Sequence, residues 1–287
     1  MPELPEVESL ARFLGEQAGG RVVERVELAA FSALKTYDPP ADALAGRTLT
    51  GTGRRGKFLC LDFEGLWLVL HLSRAGWVRW ADSMSPGRVK PGRGPLALRV
   101  RFVGGGGFDV TEAGTEKRLA AYVVRDPGEV PGVARLGPDM LDPAFDLHAF
   151  AAVLSGAGAH QIKGVLTDQE LIAGVGNAYS DEALHIAKLS PFKQASKLSA
   201  EEVERLYHAL RTVMADAVER SLGLPAAGLK SEKKSGMRVH GRTGEKCPEC
   251  GDVVREVSFA TKSLQYCATC QTGGKPLADR RLSRLLK

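Results

Sequence analysis

KFLCLDFEGLWLVLHL, residues 57–72, is the stretch that decides the fold class of this chain. It holds two apolar runs of seven residues, 57–63 and 66–72, separated by Glu64 and Gly65. Both runs are rich in Leu, Val, Phe and Trp, and short apolar runs bounded by turn residues predict strands rather than helices. The stretch therefore predicts two strands of an antiparallel sheet.

Further short runs of the same kind surround this stretch, separated by Gly, Pro or Asp, at residues 21–28, 48–52, 76–80, 96–102 and 118–124. This spacing predicts an antiparallel β-sandwich or barrel. Before the strands, apolar residues of 5–17 fall on one face at helical spacing, so a helix precedes the sheets.

The second half of the chain has helical patterns. A Pro- and Gly-rich linker at 126–142 is followed by predicted helices at 144–154, 161–171 and 177–186. Ser199 with Glu202 three residues later is a capping box, and it predicts a long helix ending near Arg220. Residues 223–246 are polar and lysine-rich, so we expect a mobile segment there.

Composition excludes several classes of protein. The chain has 287 residues, a net charge of +5, and no run of about 18 apolar residues that could span a membrane. The first residues carry no signal-peptide pattern, so we expect a cytoplasmic protein. We also expect it to be nucleoid-associated, of bacterial type and monomeric. Basic residues concentrate at 54–57, 88–93, 230–242 and 280–287, and this uneven distribution favours a nucleic acid over an acidic metabolite.

Four of the five cysteines form two C-x2-C pairs with sixteen residues between them: Cys247, Cys250, Cys267 and Cys270. Four thiolates at this spacing predict one tetrahedral zinc ion, with an iron–sulfur cluster or a chance arrangement of thiols as the alternatives. Because cysteine fills all four positions, the metal is structural rather than catalytic. The remaining cysteine, Cys60, lies in an apolar strand and is a core residue.

The N-terminus, Met1-Pro2-Glu3-Leu4-Pro5-Glu6, offers an unusual nucleophile. Methionine before a small residue is normally removed, which leaves Pro2 with a free secondary amine. An α-amino group titrates near ~8, so roughly a tenth of it is neutral and nucleophilic at pH 7, against under a thousandth of a free lysine. Glu3 is an adjacent acid that could supply a proton. The alternative is a frayed, solvated terminus.

Four motifs in order resemble the formamidopyrimidine-DNA glycosylase/endonuclease VIII family. They are residues 2–8 (PELPEVE), 54–57 (RRGK), 174–177 (GVGN) and the cysteine finger ending in Cys270-Gln271. The resemblance implies an α+β multidomain protein with an N-terminal antiparallel β-sandwich and helix, a helix–two-turn–helix domain and a four-cysteine zinc finger. We expect domains at 1–130, 143–225 and 238–272, with a basic C-terminal extension at 273–287.

The resemblance also implies a bifunctional DNA glycosylase/AP lyase of base excision repair, acting on double-stranded DNA with oxidised bases or abasic sites. In that family the Pro2 amine forms a Schiff base at C1′, and β,δ-elimination cuts the strand. Glu3 matches the family's acid, Glu6 its supporting carboxylate and Lys57 the lysine that contacts phosphate and assists proton transfer. Asn177 matches a phosphate contact at a helix N-terminus. The alternatives are a strand-end lysine in solvent and an ordinary tight turn.

Three features depart from the family pattern. Lys262 stands where the finger of this family usually has an arginine. An ammonium pairs with phosphate as a point charge, without the bidentate hydrogen bonds of a guanidinium. The usual void-filling residues are missing, because Ser73 and Arg74 follow His71-Leu72 where a Gly-Met pair is expected. Arg74 is the candidate replacement. The segment 223–237, where the family's base-recognition loop lies, is short and lysine-rich, so the excised base is left open.

Two further classes of function compete with the enzyme. One is a damaged-DNA-binding protein of the same fold with weak or lost glycosylase activity, which the missing void-filling residues permit. The other is a zinc-ribbon nucleic-acid adaptor whose N-terminus is incidental. A covalent adduct at Pro2 discriminates among the three.

Overall fold

The computed structural model describes residues 1–92, 94–259 and 262–278. Its contacts divide the chain into two compact units: the first is Met1–Leu136 with Ser221–Lys230, and the second is Gly137–Arg220 with Ser231–Lys287. The predicted basic extension falls partly on residues 279–287, which lie outside the described residues. The domain limits drawn from the sequence stay a prediction.

The first unit contains two four-stranded antiparallel sheets. Its elements are α1 (Leu4–Ala18), β1 (Val23–Leu28), β2 (Gly51–Arg55), β3 (Phe58–Phe63), β4 (Leu66–His71), β5 (Gly76–Ala81), β6 (Leu96–Phe102), β7 (Gly107–Glu112), β8 (Ala120–Val124) and α2 (Pro131–Ala134). One sheet has the order β1-β6-β7-β5 and the other β2-β3-β4-β8. The hairpin predicted from residues 57–72 is β3 and β4, paired from Phe58 with His71 to Phe63 with Leu66. The predicted sandwich is confirmed.

A single apolar core holds this unit together. Helix α1 contributes Val7, Leu10 and Leu14, all fully buried, because their spacing places them on one face of the helix. The same core takes alternate residues from both sheets, including Leu59, Leu61, Leu68, Leu70, Leu98, Val100 and Val110. Burial of one helix face and one face of each sheet fixes where the chain begins relative to the β2–β3 hairpin.

Strand β7 was not among the predicted strands. It lies between β6 and β5 in its sheet, and five of its six residues are buried. A strand buried on both faces has no apolar–polar alternation, and a run of glycines at 104–106 precedes this one, so the local pattern resembles a loop. Gly107 is required there, because a Cβ at this position would lie 2.2 Å from the carbonyl oxygen of Val100.

The second unit begins with helices and ends with a small finger. The helices are α3 (Leu147–Gly156), α4 (Ile162–Thr167), α5 (Asn177–Ile186) and α6 (Ala200–Ser221), and the finger consists of β9 (Val254–Ser258), β10 (Ser263–Cys267) and α8 (Ala268–Thr272). The predicted capping box is confirmed at α6: Glu202 N–H donates to Ser199 Oγ, and Ser199 N–H donates to Glu202 Oε2. Among the described residues, none of the helices has the length and apolar character needed to cross a membrane.

The segment expected to be mobile contains an ordered helix, α7 (Leu229–Ser235). Ala226 and Leu229 are buried in the core of the first unit, and the indole N–H of Trp77 donates to the Ala226 carbonyl oxygen at 3.0 Å. The Lys230 ammonium lies 4.6 Å from the centre of the Trp77 ring. Two apolar residues and one hydrogen bond therefore anchor a stretch whose composition alone indicates solvent exposure.

Candidate active site and metal centre

The start of α1 buries two carboxylic acids beside the candidate nucleophile. Pro2 is buried, and Glu3 and Glu6 are each only 2% exposed. Glu6 Oε2 accepts the Glu3 backbone N–H at 2.8 Å, within a capping box that closes the first turn of the helix. The carboxylate of Glu6 therefore holds the backbone next to Pro2 in place.

Lys57 lies at the β2–β3 turn in the same unit and is 7% exposed. The turn passes through Gly56, whose φ of +52° favours glycine. Arg54 on β2 forms an ion pair with Glu8 on α1 at 3.0 Å, which ties this hairpin to the helix that begins after Pro2. Pro2, Glu3 and Glu6 thus lie at the start of α1, and Lys57 lies in a hairpin that is joined to this helix by an ion pair.

His71 is an additional member of this region that the sequence argument did not assign. It pairs with Phe58 across the strands, and the two ring centres lie 4.8 Å apart. Burial, with the Lys57 charge as a second cause, lowers the pKa of His71 to about 4, so the imidazole is neutral at pH 7. The signal available in the sequence was the predicted β3–β4 hairpin, because its register places His71 opposite Phe58, the residue after Lys57.

Arg74 occupies an exposed, tight turn between β4 and β5. Ser73 has a φ of +54°, and the Gly76 N–H donates to the Leu72 carbonyl oxygen at 2.9 Å. This backbone leaves Arg74 exposed on a short, constrained connection.

The four predicted cysteines converge on one point of the second unit. Their sulfur atoms lie within 4.8 Å of one another, with Cys247–Cys270 at 3.9 Å and Cys250–Cys267 at 3.4 Å. Zinc with four sulfur ligands at about 2.3 Å requires sulfur–sulfur separations of about 3.8 Å. The cluster therefore fits one structural zinc ion, and the donor set leaves no position open for catalysis.

The two candidate phosphate contacts of the second unit lie next to each other in the structure. Lys262 is exposed and directly precedes β10, and its carbonyl oxygen accepts the Phe259 N–H at 2.8 Å. Asn177 begins α5, and its side-chain amide donates to the carbonyl oxygen of Ser263, the residue after Lys262, at 2.7 Å. The start of α5 and the finger hairpin thus form one surface.

Lys163 on α4 is a buried cation that sequence reasoning missed. It is 8% exposed, and its ammonium donates to Asp181 Oδ1 at 2.5 Å, Ser180 Oγ at 2.9 Å and the Asn177 carbonyl oxygen at 3.0 Å. These bonds fix the first turns of α5. In the sequence, the burial of Lys163 was indicated only by its position within an apolar helical pattern.

The first unit thus has buried acids beside Pro2 and a buried lysine in the β2–β3 turn, and the second unit has a four-cysteine cluster.

Family models match three parts of the chain in this order: the formamidopyrimidine-DNA glycosylase N-terminal domain at residues 1–113, its H2TH domain at 136–225, and the zinc finger found in FPG and IleRS at 244–273. Formamidopyrimidine-DNA glycosylase of Symbiobacterium thermophilum is 35% identical over 98% of this chain and 93% of that protein. An uncharacterized formamidopyrimidine-DNA glycosylase-like protein of Mycobacterium tuberculosis is 60% identical over 55% of this chain and 98% of that protein.

A solved structure agrees with the sequence comparisons. The Lactococcus lactis formamidopyrimidine-DNA glycosylase, crystallised non-covalently bound to DNA with an AP site, superposes with a TM-score of 0.81 at 26% identity. The match covers 94% of this chain and 99% of that one. With its sandwich, helices and four-cysteine finger in the same order, the chain belongs to the formamidopyrimidine-DNA glycosylase family.

Proposed function

We propose that this chain is a bifunctional DNA glycosylase/AP lyase of base excision repair that acts on double-stranded DNA as a monomer. The observation that carries the proposal is the N-terminus: Pro2 is buried at the start of α1, next to the buried carboxyl groups of Glu3 and Glu6. A frayed terminus would be exposed to solvent, and the carboxyl groups next to it would be exposed as well. Family membership and the DNA-bound relative support the same activity.

In the proposed reaction, the neutral Pro2 nitrogen attacks C1′ of the damaged nucleoside, and the base leaves with the electron pair of the glycosidic bond. The nitrogen then loses its proton and the C1′–O4′ bond breaks, which leaves a Schiff base between the nitrogen and C1′ whose electron demand permits β- and δ-elimination of the two flanking phosphates. Glu3 gives a proton to the opening sugar ring.

Lys57 and the second unit supply contacts to the DNA backbone. The Lys57 ammonium has little access to water, so it can pair with a phosphate beside the lesion and assist proton transfer. Neutral His71 next to it adds no competing positive charge. Lys262 and Asn177 contact further phosphates from the second unit, and zinc, when bound to the four cysteines, holds that finger hairpin in shape.

The test is covalent trapping with the full chain after confirmation by mass that Met1 has been removed. Borohydride is added to duplexes carrying an abasic site, 8-oxoguanine, formamidopyrimidine, dihydrouracil or thymine glycol. We expect a reduced adduct whose peptide map places the bond on the Pro2 nitrogen, and the panel identifies the excised base.

A chain that keeps Met1 serves as the control, because its Pro2 nitrogen is an amide and cannot attack. If the chain without Met1 forms no adduct with any of the duplexes, the proposed enzymatic activity is wrong. Tight binding to the same duplexes would then support the alternative, a damaged-DNA-binding protein.

A further inference from the structure

One face of α5 carries polar side chains that all bond to the finger or to the turn before it. Asn177 bonds the carbonyl oxygen of Ser263, and four residues later Asp181 Oδ2 accepts the Gln265 backbone N–H at 3.2 Å. Glu182 accepts three consecutive backbone N–H groups, those of Arg238, Val239 and His240, at 2.7–3.0 Å. His185, a further turn along the same face, continues this row toward the cysteines.

His185 contacts a cysteine of the metal cluster. Its Nε2 lies 3.2 Å from Cys247 Sγ, and the residue is 1% exposed. Among the described residues, the group of side chains close enough to hold one metal ion consists of the four cysteines and does not include His185. His185 is therefore outside the ligand set but in direct contact with one member of it.

The second ring nitrogen decides which way the hydrogen bond runs. Nδ1 of His185 is buried and has no hydrogen-bond partner among the described residues. A proton on Nδ1 would leave a buried donor unsatisfied and would turn the Nε2 lone pair toward the sulfur. A proton on Nε2 avoids both costs, so His185 donates Nε2–H to Cys247.

We propose that His185 is an outer-sphere hydrogen-bond donor to the zinc-bound Cys247 thiolate and that it slows the loss of the metal. Four thiolates around one divalent ion carry an excess negative charge of two, and donors to sulfur disperse that charge. Backbone N–H groups of Cys250 and Cys270 already face Cys247 and Cys267. His185 adds a side-chain donor from a different element, α5, and so joins the metal centre to the helix that begins at Asn177.

The experiment compares the zinc-loaded full chain with two variants, His185→Phe, which fills the space without a donor, and His185→Gln, which keeps an N–H donor. We measure zinc release to a chromophoric chelator and the sulfur-to-cobalt charge-transfer bands of the cobalt-substituted proteins. His185→Phe should release zinc about 10–100-fold faster and shift the charge-transfer bands to lower energy. His185→Gln should restore both toward the wild-type values, whereas a role in packing alone would be met equally by Phe.

Equal release rates and spectra in wild type and His185→Phe would overturn the proposal. So would cobalt bands typical of three sulfurs and one nitrogen, because His185 would then be a ligand. A measurement on the wild type alone covers the case in which a variant fails to fold. Nitrogen NMR of the zinc-loaded chain should show the His185 proton on Nε2, and a proton on Nδ1 only would refute the proposal. None of these readouts depends on glycosylase activity.

Discussion

Arg74 shows how a single residue can be placed by its backbone. Ser73 in the left-handed region and Gly76 bonded to Leu72 keep the connection short, and Arg74 is exposed on it. Flipping a nucleotide out of a duplex costs a few kcal/mol of stacking, which a side chain inserted in the vacated space offsets. We propose that the Arg74 guanidinium fills that space.

The prediction for Arg74→Ala is about tenfold weaker binding to abasic duplex, in keeping with the loss of roughly 1–2 kcal/mol of stacking. Binding to undamaged duplex should change much less, because no nucleotide is displaced there. Arg125→Ala is the control, since this arginine is also exposed in the same unit, at 66% of its side chain. If Arg74→Ala binds and processes the abasic duplex as the wild type does, the assignment of Arg74 is wrong.

His71 gives the stability of the first unit a specific dependence on pH. Its pKa is about 4 in the folded chain against an ordinary value of 6.5. As pH falls below 6.5, the unfolded chain takes up a proton that the folded chain does not, so the contribution of His71 to stability is full above 6.5 and is lost towards pH 4. At pH 5 this loss is about 2 kcal/mol.

Urea unfolding of the wild type and of His71→Gln at pH 7.5 and pH 5 measures the contribution of His71 to the free energy of unfolding. All three tryptophans, Trp67, Trp77 and Trp80, lie in the first unit, so their fluorescence reports that unit and not the cysteine finger. The wild type should lose about 2 kcal/mol more than the variant between the two pH values. Parallel losses in both proteins would show that His71 is not buried as described.

At the level of elements, the β4–β5 connection depends on a missing side chain. A Cβ at Gly76 would lie 2.0 Å from the Leu72 carbonyl oxygen, which is backbone and cannot move aside. Gly76→Ala should therefore cost about 3 kcal/mol in the free energy of unfolding, measured by tryptophan fluorescence in urea. Gly53→Ala in β2 is the matched control, since nothing lies within 4 Å of its Cβ position. Similar values for both variants would contradict the tight turn.

The elements also show why local pattern predicts some of the structure and not the rest. Helix α5 begins at Asn177 and ends at Ile186, as its pattern predicts, because apolar spacing and the preceding glycines are local signals. Strand β7 escaped prediction because burial on both faces removes the alternation. The 223–246 segment was misjudged because Ala226 and Leu229 are buried against residues more than a hundred positions earlier in the chain.

For the whole molecule, the zinc ion should be required by the finger and not by the sandwich. The apolar core around the cysteines consists of Val239, Val254 and the cysteines themselves, and β9 and β10 add a second small cluster with Val257, Leu264 and Tyr266, whereas the sandwich has its own large core. A segment of this size has too little core to fold without the metal. We expect zinc removal to abolish hydrogen-exchange protection in β9 and β10 while the strands of the first unit stay protected.

Duplex binding should fall in the same sample, because Lys262 and Asn177 are positioned by the finger hairpin and its bond to α5. Re-addition of zinc is the control for irreversible damage and should restore both protection and binding. Full protection of β9 and β10 in the metal-free chain would contradict a zinc-dependent finger.

The sequence by itself determined the metal centre, the first helix, the fold class and the identity of the candidate nucleophile. Each follows from spacing within a short stretch: two C-x2-C pairs, a helical apolar stripe, short apolar runs separated by turn residues, and a proline after the initiating methionine. Only the tertiary structure decided that Glu3, Glu6 and Lys57 are buried, that His71 is neutral beside Lys57, and that His185 Nε2 lies 3.2 Å from Cys247 Sγ. Burial, pKa and contact depend on which distant segments pack together, and no local periodicity carries that information.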